Sequence, residues 1–232
     1  GLLADPSIHV RAAVATAYGN SGKVDEQQLV RLWTTDPSAM VRASALTALA
    51  TRRKAGAEAL LIQAAADKNA EIRATAMSSA GVLGVTGAEA AALLQRGLTD
   101  ATGRVRVAAL EQLGDVSSQW AYAAIKVALV APTLAERGTA ASVLGARQEL
   151  DRAQVAWQAY GDSLEYRWRD MRQALLEVLA ADPAMVLAAE ERVASYPDAG
   201  DSDAAAEIAG RYGYRIEAED TDRLLGGRVF RH

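Results

Sequence analysis

The sequence predicts an all-α repeat protein, and three observations support this fold class. Half of the 232 residues are hydrophobic while only 5% are aromatic, and alanine, the strongest helix former, is abundant. An aspartate followed six residues later by an arginine recurs along the chain. Apolar residues after this pair have the period of an α-helix. Together these features predict helices that stack in an array, each burying its apolar stripe against its neighbours.

The Asp–Arg motif recurs at intervals of 31, 31 and 33 residues, and a period of this length indicates a repeat architecture. Its members are Asp5 and Arg11, Asp36 and Arg42, Asp67 and Arg73, Asp100 and Arg106, and finally Arg137, where Ala131 replaces the aspartate. We expect each guanidinium to bond to an aspartate or a helix-end carbonyl of its own or the adjacent repeat, because its planar fork makes several fixed bonds. The alternative, an anion-binding ladder, is disfavoured by the aspartates of the same motif.

Each motif arginine is predicted to lie in the first helix of a repeat. The preceding residue is apolar, as at Val41, Ile72 and Val105, and further apolar positions follow three, four and seven residues after the arginine. Asp5 and Asp36, each followed by a proline, are expected to cap this helix at its N-terminus. The small residue after the stripe, often glycine, is expected to adopt a positive φ at the helix C-terminus.

A second helix is predicted in every repeat. The seventh, sixth and third residues before the next motif aspartate are apolar, as at Leu29, Val30 and Trp33, and share one buried face. The fifth residue lies roughly 150° from the centre of that face, so it is expected to be exposed. We expect this exposed side to form a concave partner-binding face. Its candidate residues are Arg31, Ile62, Gln95, Tyr122, Lys126, Gln154 and Trp157.

The motif regions resemble short HEAT repeats of the type related to phycobilisome-lyase repeats. The likeness is carried by residues 36–46 (DPSAMVRASAL) and 100–110 (DATGRVRVAAL) and by their recurrence. It implies a right-handed α-solenoid, an α–α superhelix. We expect five HEAT-like repeats in residues 1–161, the first preceded by the end of a truncated helix. Residues 162–212 are expected to form diverged helical repeats, and residues 213–232 an extended tail or linker.

Composition excludes several catalytic classes. The chain has no cysteine and only two histidines, His9 and His232, which excludes thiolate chemistry and histidine-rich zinc sites. It has no apolar run of about 18 residues, the length that a membrane helix needs. Its net charge of -4 gives no bulk attraction for phosphate backbones. We therefore predict a non-catalytic scaffold without cofactor or metal that binds neither nucleic acid nor membrane. Its expected partner is another protein or a neighbouring domain of the same parent chain.

The resemblance leaves other functions open. HEAT-like arrays are fused to cyclophilin-type prolyl isomerases and to aminopeptidases, so one alternative is an accessory domain of a larger bacterial enzyme. A start within a helix, at Gly1, favours that expectation. Some HEAT-like proteins are DNA glycosylases, for which Trp157, Trp168 and Asp170 are the candidate residues here, but the net negative charge disfavours this function. Bilin attachment is disfavoured because only the generic repeat is similar.

Overall fold

The computed structural model describes residues 2–21, 26–53, 57–82, 87–165 and 169–180. These residues form a 3-10 turn, Leu2–Ala4, and eleven α-helices, with no strand among them. The helices are α1 (Ile8–Asn20), α2 (Glu26–Thr35), α3 (Ala39–Arg53), α4 (Ala57–Ala64), α5 (Ala70–Val82), α6 (Ala88–Leu98), α7 (Gly103–Glu111), α8 (Gln119–Ala128), α9 (Leu134–Gly145), α10 (Arg152–Glu165) and α11 (Arg169–Leu179). Within the described residues, none of these helices is long and apolar enough to cross a membrane.

The first compact unit, Gly1–Ala124, consists of helices packed in two layers. The first helices α1, α3, α5 and α7 pack on one another in chain order. The second helices α2, α4 and α6 each pack on the first helix of the next repeat, and α4 also packs on α6. Each helix pair is thus covered by the next pair, which is the arrangement of an α-solenoid. The predicted fold class is confirmed.

The apolar stripes of both helix layers form the core of this unit. Val41, Ile72 and Val105, the residues before the motif arginines, are only 0–1% exposed. On the second helices, Leu29 is fully buried, and Trp33 is buried as predicted. The helical period of the sequence is therefore also the period of burial.

Close approach between helices requires small residues at two positions. A Cβ added to Gly97 of α6 would overlap the Sδ atom of Met77 and lie 2.8 Å from the Cβ of Ala109. A Cβ on Gly19 of α1 would lie 2.8 Å from the Cβ of Ala48. The expectation of a positive φ is wrong at Gly19, since this residue lies inside α1 and outside the left-handed region. Glycine is needed there because a neighbouring helix is close.

The second compact unit is Ile125–His232. In its described part, α11 packs on both α9 and α10, the position that the first helix of a further repeat would occupy. The inner side of α11 is buried at Met171, Leu175 and Leu179. Helix α10 continues to Glu165, past the predicted end of the fifth repeat at residue 161. The predictions for residues 181–212, for the tail 213–232 and for Trp168 lie outside the described residues.

Candidate protein-binding surface

The Asp–Arg motif shapes the loop before each first helix. The carboxylates of Asp5, Asp36, Asp67 and Asp100 each accept the backbone N–H two residues later, at 2.7–2.9 Å. The arginine six residues after each aspartate donates from Nη1 to the carbonyl of that aspartate, also at 2.7–2.9 Å. In the fifth copy, Arg137 donates to the carbonyl of Ala131. These bonds satisfy loop backbone groups that the helix leaves without a partner.

This geometry corrects the predicted role of Asp5 and Asp36 as helix caps. Helix α1 begins three residues after Asp5, and Ser7 occupies the N-cap position. Helix α3 begins three residues after Asp36 in the same way. The aspartate therefore stabilises the turn that leads into the helix, and the proline that follows it lies in this turn.

Two motif arginines also connect neighbouring repeats. Arg11 donates from Nε and Nη2 to the two carboxylate oxygens of Asp36 at 2.8 and 3.1 Å, and Arg73 donates to Asp100 at 2.7 and 2.9 Å. The hydrogen bonds from these guanidinium groups hold the carboxyl pKa of Asp36 and of Asp100 below its ordinary value. Arg42, between them in sequence, donates to carbonyls of its own loop. The charges of these motif pairs are thus used inside the array.

The exposed side of α2, α4 and α6, here named the second-helix face, carries three of the predicted partner-binding residues. Arg31, Ile62 and Gln95 are all exposed, and 42% of Ile62 is accessible to solvent. They lie opposite the buried stripe because the fifth position before the motif points away from it. The first unit therefore presents one of these side chains from each of its three second helices before α8.

Two small residues lie near Ile62 on the second-helix face, and Glu58 lies one helical turn before it. Ala59 and Ala66, which lie three positions before and four positions after it, are both exposed. At the C-terminal ends of α2 and α6, the hydroxyls of Thr35 and Thr99 donate to carbonyls of their own helices at 2.8 and 3.0 Å. Their hydrogen-bonding capacity is therefore used locally. A low density of charge is typical of the core of a protein interface.

Two arginines lie on the outer helices of this face. Arg31 on α2 and Arg96 on α6 are exposed, and neither side chain has a hydrogen bond or ion pair with any residue that the structure describes. Glu58 and Glu89 lie in the first turns of α4 and α6, where a carboxylate interacts favourably with the helix dipole. The sequence analysis missed Arg96 because its position lies on the flank of the buried face. A long arginine side chain reaches solvent from such a flank.

Three other predicted binding residues belong to the second unit and are described by themselves. Lys126 and Gln154 are exposed, and Lys126 Nζ lies 3.9 Å from an Asp151 carboxylate oxygen. Trp157 is only partly exposed, and its ring stacks on that of Tyr160 with 6.2 Å between centroids and 14° between planes. Tyr160 itself is buried. Trp157, which was expected to be an exposed aromatic side chain, is therefore partly buried within the unit.

Tyr122 is buried, which corrects its predicted place on the exposed face. It is 5% exposed, and Ala121 and Ile125 on the same helix are fully buried. Since Ile125 follows Tyr122 by three residues, both lie on the inner side of α8. Lys126, four residues after Tyr122, still reaches water because its long flexible chain carries the ammonium group outward.

A cleft of about 570 Å³ lies beside Arg31, lined also by Leu3, Leu32 and residues of the motif loops. Two of its charged residues, Arg11 and Asp36, are bonded to each other, so their charges offset one another. In the described part of the chain, no group of three or more His, Asp or Glu side chains is placed to hold a metal ion.

Known proteins share this architecture. Residues 26–109 match the family model described as HEAT repeats. The chain is similar in structure to YibA of Escherichia coli, with 19% identity and a TM-score of 0.58 over 90% of this chain and 79% of that one. Human deoxyhypusine hydroxylase, solved in complex with glycerol, has 18% identity and a TM-score of 0.39 over 97% of this chain and 82% of that one. No curated protein matches the sequence.

Proposed function

We propose that this chain, a HEAT-repeat scaffold, binds another protein or a neighbouring domain of its parent chain through the second-helix face. The observation that supports this proposal most directly is the exposure of Ile62 on the middle one of the three second helices. Aliphatic side chains surrounded by small uncharged residues are typical of the central part of an interface. The proposal involves no catalysis, nucleic acid, membrane or metal.

The second-helix face has the features that a stable contact needs. Covering the exposed part of Ile62 would contribute about 1 kcal/mol. Ala59 and Ala66 carry only methyl groups, so a partner can approach the helix backbone closely around Ile62. Because the face belongs to packed helices, little conformational entropy is lost when a partner binds. In the second unit, Lys126, Gln154 and Trp157 are candidates for a separate contact.

Site-specific photocrosslinking tests this proposal. A benzophenone amino acid replaces Ile62 in one variant and Thr47, which is exposed on the first helix α3, in the control variant. We expect a protein partner to be crosslinked from position 62 and not from position 47. The purified partner is then titrated calorimetrically against unmodified chains.

The titration decides whether Ile62 contributes to affinity. We expect Ile62→Asp to raise the Kd about tenfold or more, because a charge is placed at the apolar centre of the contact. Thr47→Asp should leave the Kd within about twofold. Circular dichroism checks that both variants keep their helices. A partner that binds wild type and Ile62→Asp equally well would refute the proposed surface.

A further inference from the structure

We infer that the segment bound by the second-helix face is an acidic one, with an apolar side chain that packs on Ile62 and carboxylates on either side that pair with Arg31 and Arg96. This inference rests on the proposed function and specifies the chemistry of the partner. It is carried by the exposure of Ile62 and by the two arginine side chains on the outer helices of the face.

The second-helix face carries an arginine on each of its two outer helices. The side chains of Arg31 and Arg96 are exposed and make no bond to any other described residue, and Ile62, Gln63 and Gln95 are uncharged. An arginine whose guanidinium makes no bond to a described residue can pair with a partner carboxylate without first breaking such a bond. The two outer helices therefore each offer a positive charge to a partner.

The acidic residues of α4 and α6 lie in the first turns of these helices. Glu58 is one helical turn before Ile62, and Glu89 is seven residues before Arg96, near the opposite end of α6. In the motif loops, Asp36 is paired with Arg11, Asp100 is paired with Arg73, and Arg73 donates to the backbone carbonyl of Asp67 at 2.9 Å. Each loop aspartate thus has an arginine of the array next to it.

The spacing of the helices sets the spacing expected in the partner. Packed helices lie about 8–10 Å apart, and α4 packs on α6, so Ile62 on α4 is roughly 10 Å from the residues of α6. A helical partner covers about 10 Å in seven residues, and an extended one in about three. The carboxylate that pairs with Arg96 is therefore expected about seven residues from the apolar side chain in a helix, or about three in a strand.

A nucleic acid fits the same surface less well. Its phosphates would match Arg31 and Arg96, but its backbone offers no aliphatic group for Ile62. The favoured partner is therefore a protein segment, and a nucleic acid is treated as an outcome of the test.

Selection from a random peptide library tests the inference without assuming a sequence. Displayed peptides of about 16 residues are selected on the full wild-type chain and depleted on the Ile62→Asp variant. We expect the peptides that remain to be enriched in Asp and Glu around an apolar residue, relative to the unselected library. Ile62-dependent peptides that are neutral or basic would overturn the inference while leaving the proposed function intact. If no Ile62-dependent peptide is recovered, both fail.

A charge-reversal experiment then tests the two arginines. The most enriched peptide is titrated by fluorescence anisotropy against the Arg31→Glu/Arg96→Glu double variant. We expect the Kd to rise about tenfold or more, and to rise with salt for the wild type because exposed ion pairs are screened. The control is Arg104→Glu on the first helix α7, where the arginine is paired with Glu71, and its Kd should stay within about twofold.

Two outcomes of this experiment contradict the inference. The first is an unchanged Kd for the double variant while circular dichroism shows an intact fold. The second is binding of a single-stranded oligonucleotide to the wild type that is tighter than the peptide and is lost in the double variant, which would assign the arginines to phosphate recognition.

Discussion

Asp36→Ala removes the carboxylate that connects the first two repeats. This group accepts two hydrogen bonds from Arg11 and one from the Ser38 N–H at 2.9 Å. The loop bond contributes about 1 kcal/mol. Breaking a buried ion pair costs about 3–5 kcal/mol. The Arg11 side chain is 11% exposed and keeps its bond to the Asp5 carbonyl, so the loss of its ion pair with Asp36 should cost only about 2 kcal/mol. We expect the free energy of unfolding to fall by about 3 kcal/mol.

The matched control is Asp67→Ala. Asp67 occupies the same position of the motif and accepts the Asn69 N–H at 2.7 Å, but among the described residues no arginine side chain donates to its carboxylate. Its loss should therefore cost only about 1 kcal/mol. Urea unfolding followed by circular dichroism compares the two variants, and a double-mutant cycle with Arg11→Ala isolates the pair itself. Equal losses for both variants would refute the reasoning.

Three further predictions follow from packing, titration and capping. Gly97→Ala should lower stability by about 1–3 kcal/mol because its methyl group overlaps neighbouring helices. In α9, a Cβ added to Gly138 has no neighbouring atom within 4 Å, so Gly138→Ala should raise stability by about 1 kcal/mol. Thermal denaturation measures both effects. The lowered pKa of Asp36 and Asp100 stabilises the fold at pH values above the unfolded pKa of about 3.9. This contribution is lost as the pH falls through the folded pKa. Urea midpoints measured from neutral to acid pH should therefore decrease. Thr133→Ala removes the N-cap hydroxyl of α9 and should cost about 1 kcal/mol, seen as faster hydrogen exchange in α9.

Each of these predictions has an outcome that contradicts it. A loss at Gly138 as large as that at Gly97 would show that helix spacing is not the cause. An Asp36→Asn/Asp100→Asn variant should lose less stability on acidification than the wild type, and an unchanged dependence on pH would assign the effect to other carboxyl groups. Thr133→Ser should retain the cap, so a variant that behaves like Thr133→Ala would argue against the role of the hydroxyl.

The fold was predictable because the repeat makes one pattern visible several times. An apolar residue before the motif arginine, as at Val41 and Ile72, can be buried in many folds. Because this residue recurs together with the apolar positions of the second helices, only stacked helix pairs can bury every copy. The same helical phase predicts exposure at Arg31, Ile62 and Gln95, since these positions are turned away from the buried face.

Other features depend on contacts that no local pattern encodes. Gly19 and Gly97 are required by the closeness of particular helices, whereas the sequence at the repeat ends suggested turn geometry. Tyr122 is buried and Trp157 stacks on Tyr160 because the buried face of each helix has a particular width. The recurring apolar positions alone do not specify that width. The place of Arg31 and Arg96 in binding remains a prediction that the proposed experiments test.

Among the described residues of the first unit, motif arginines bond the first repeat to the second and the third to the fourth, but not the second to the third. Bonds from Arg11 and Arg73 fasten α1 to the start of α3 and α5 to the start of α7, whereas Arg42 stays within its own loop. Helices α3 and α5 are therefore held by side-chain packing, which permits small sliding motions at lower cost than directional bonds. Bending of the unit is expected to concentrate at this junction, and α4, with Ile62, lies across it. A partner that contacts α2 and α6 together would fix the curvature of this unit as it binds.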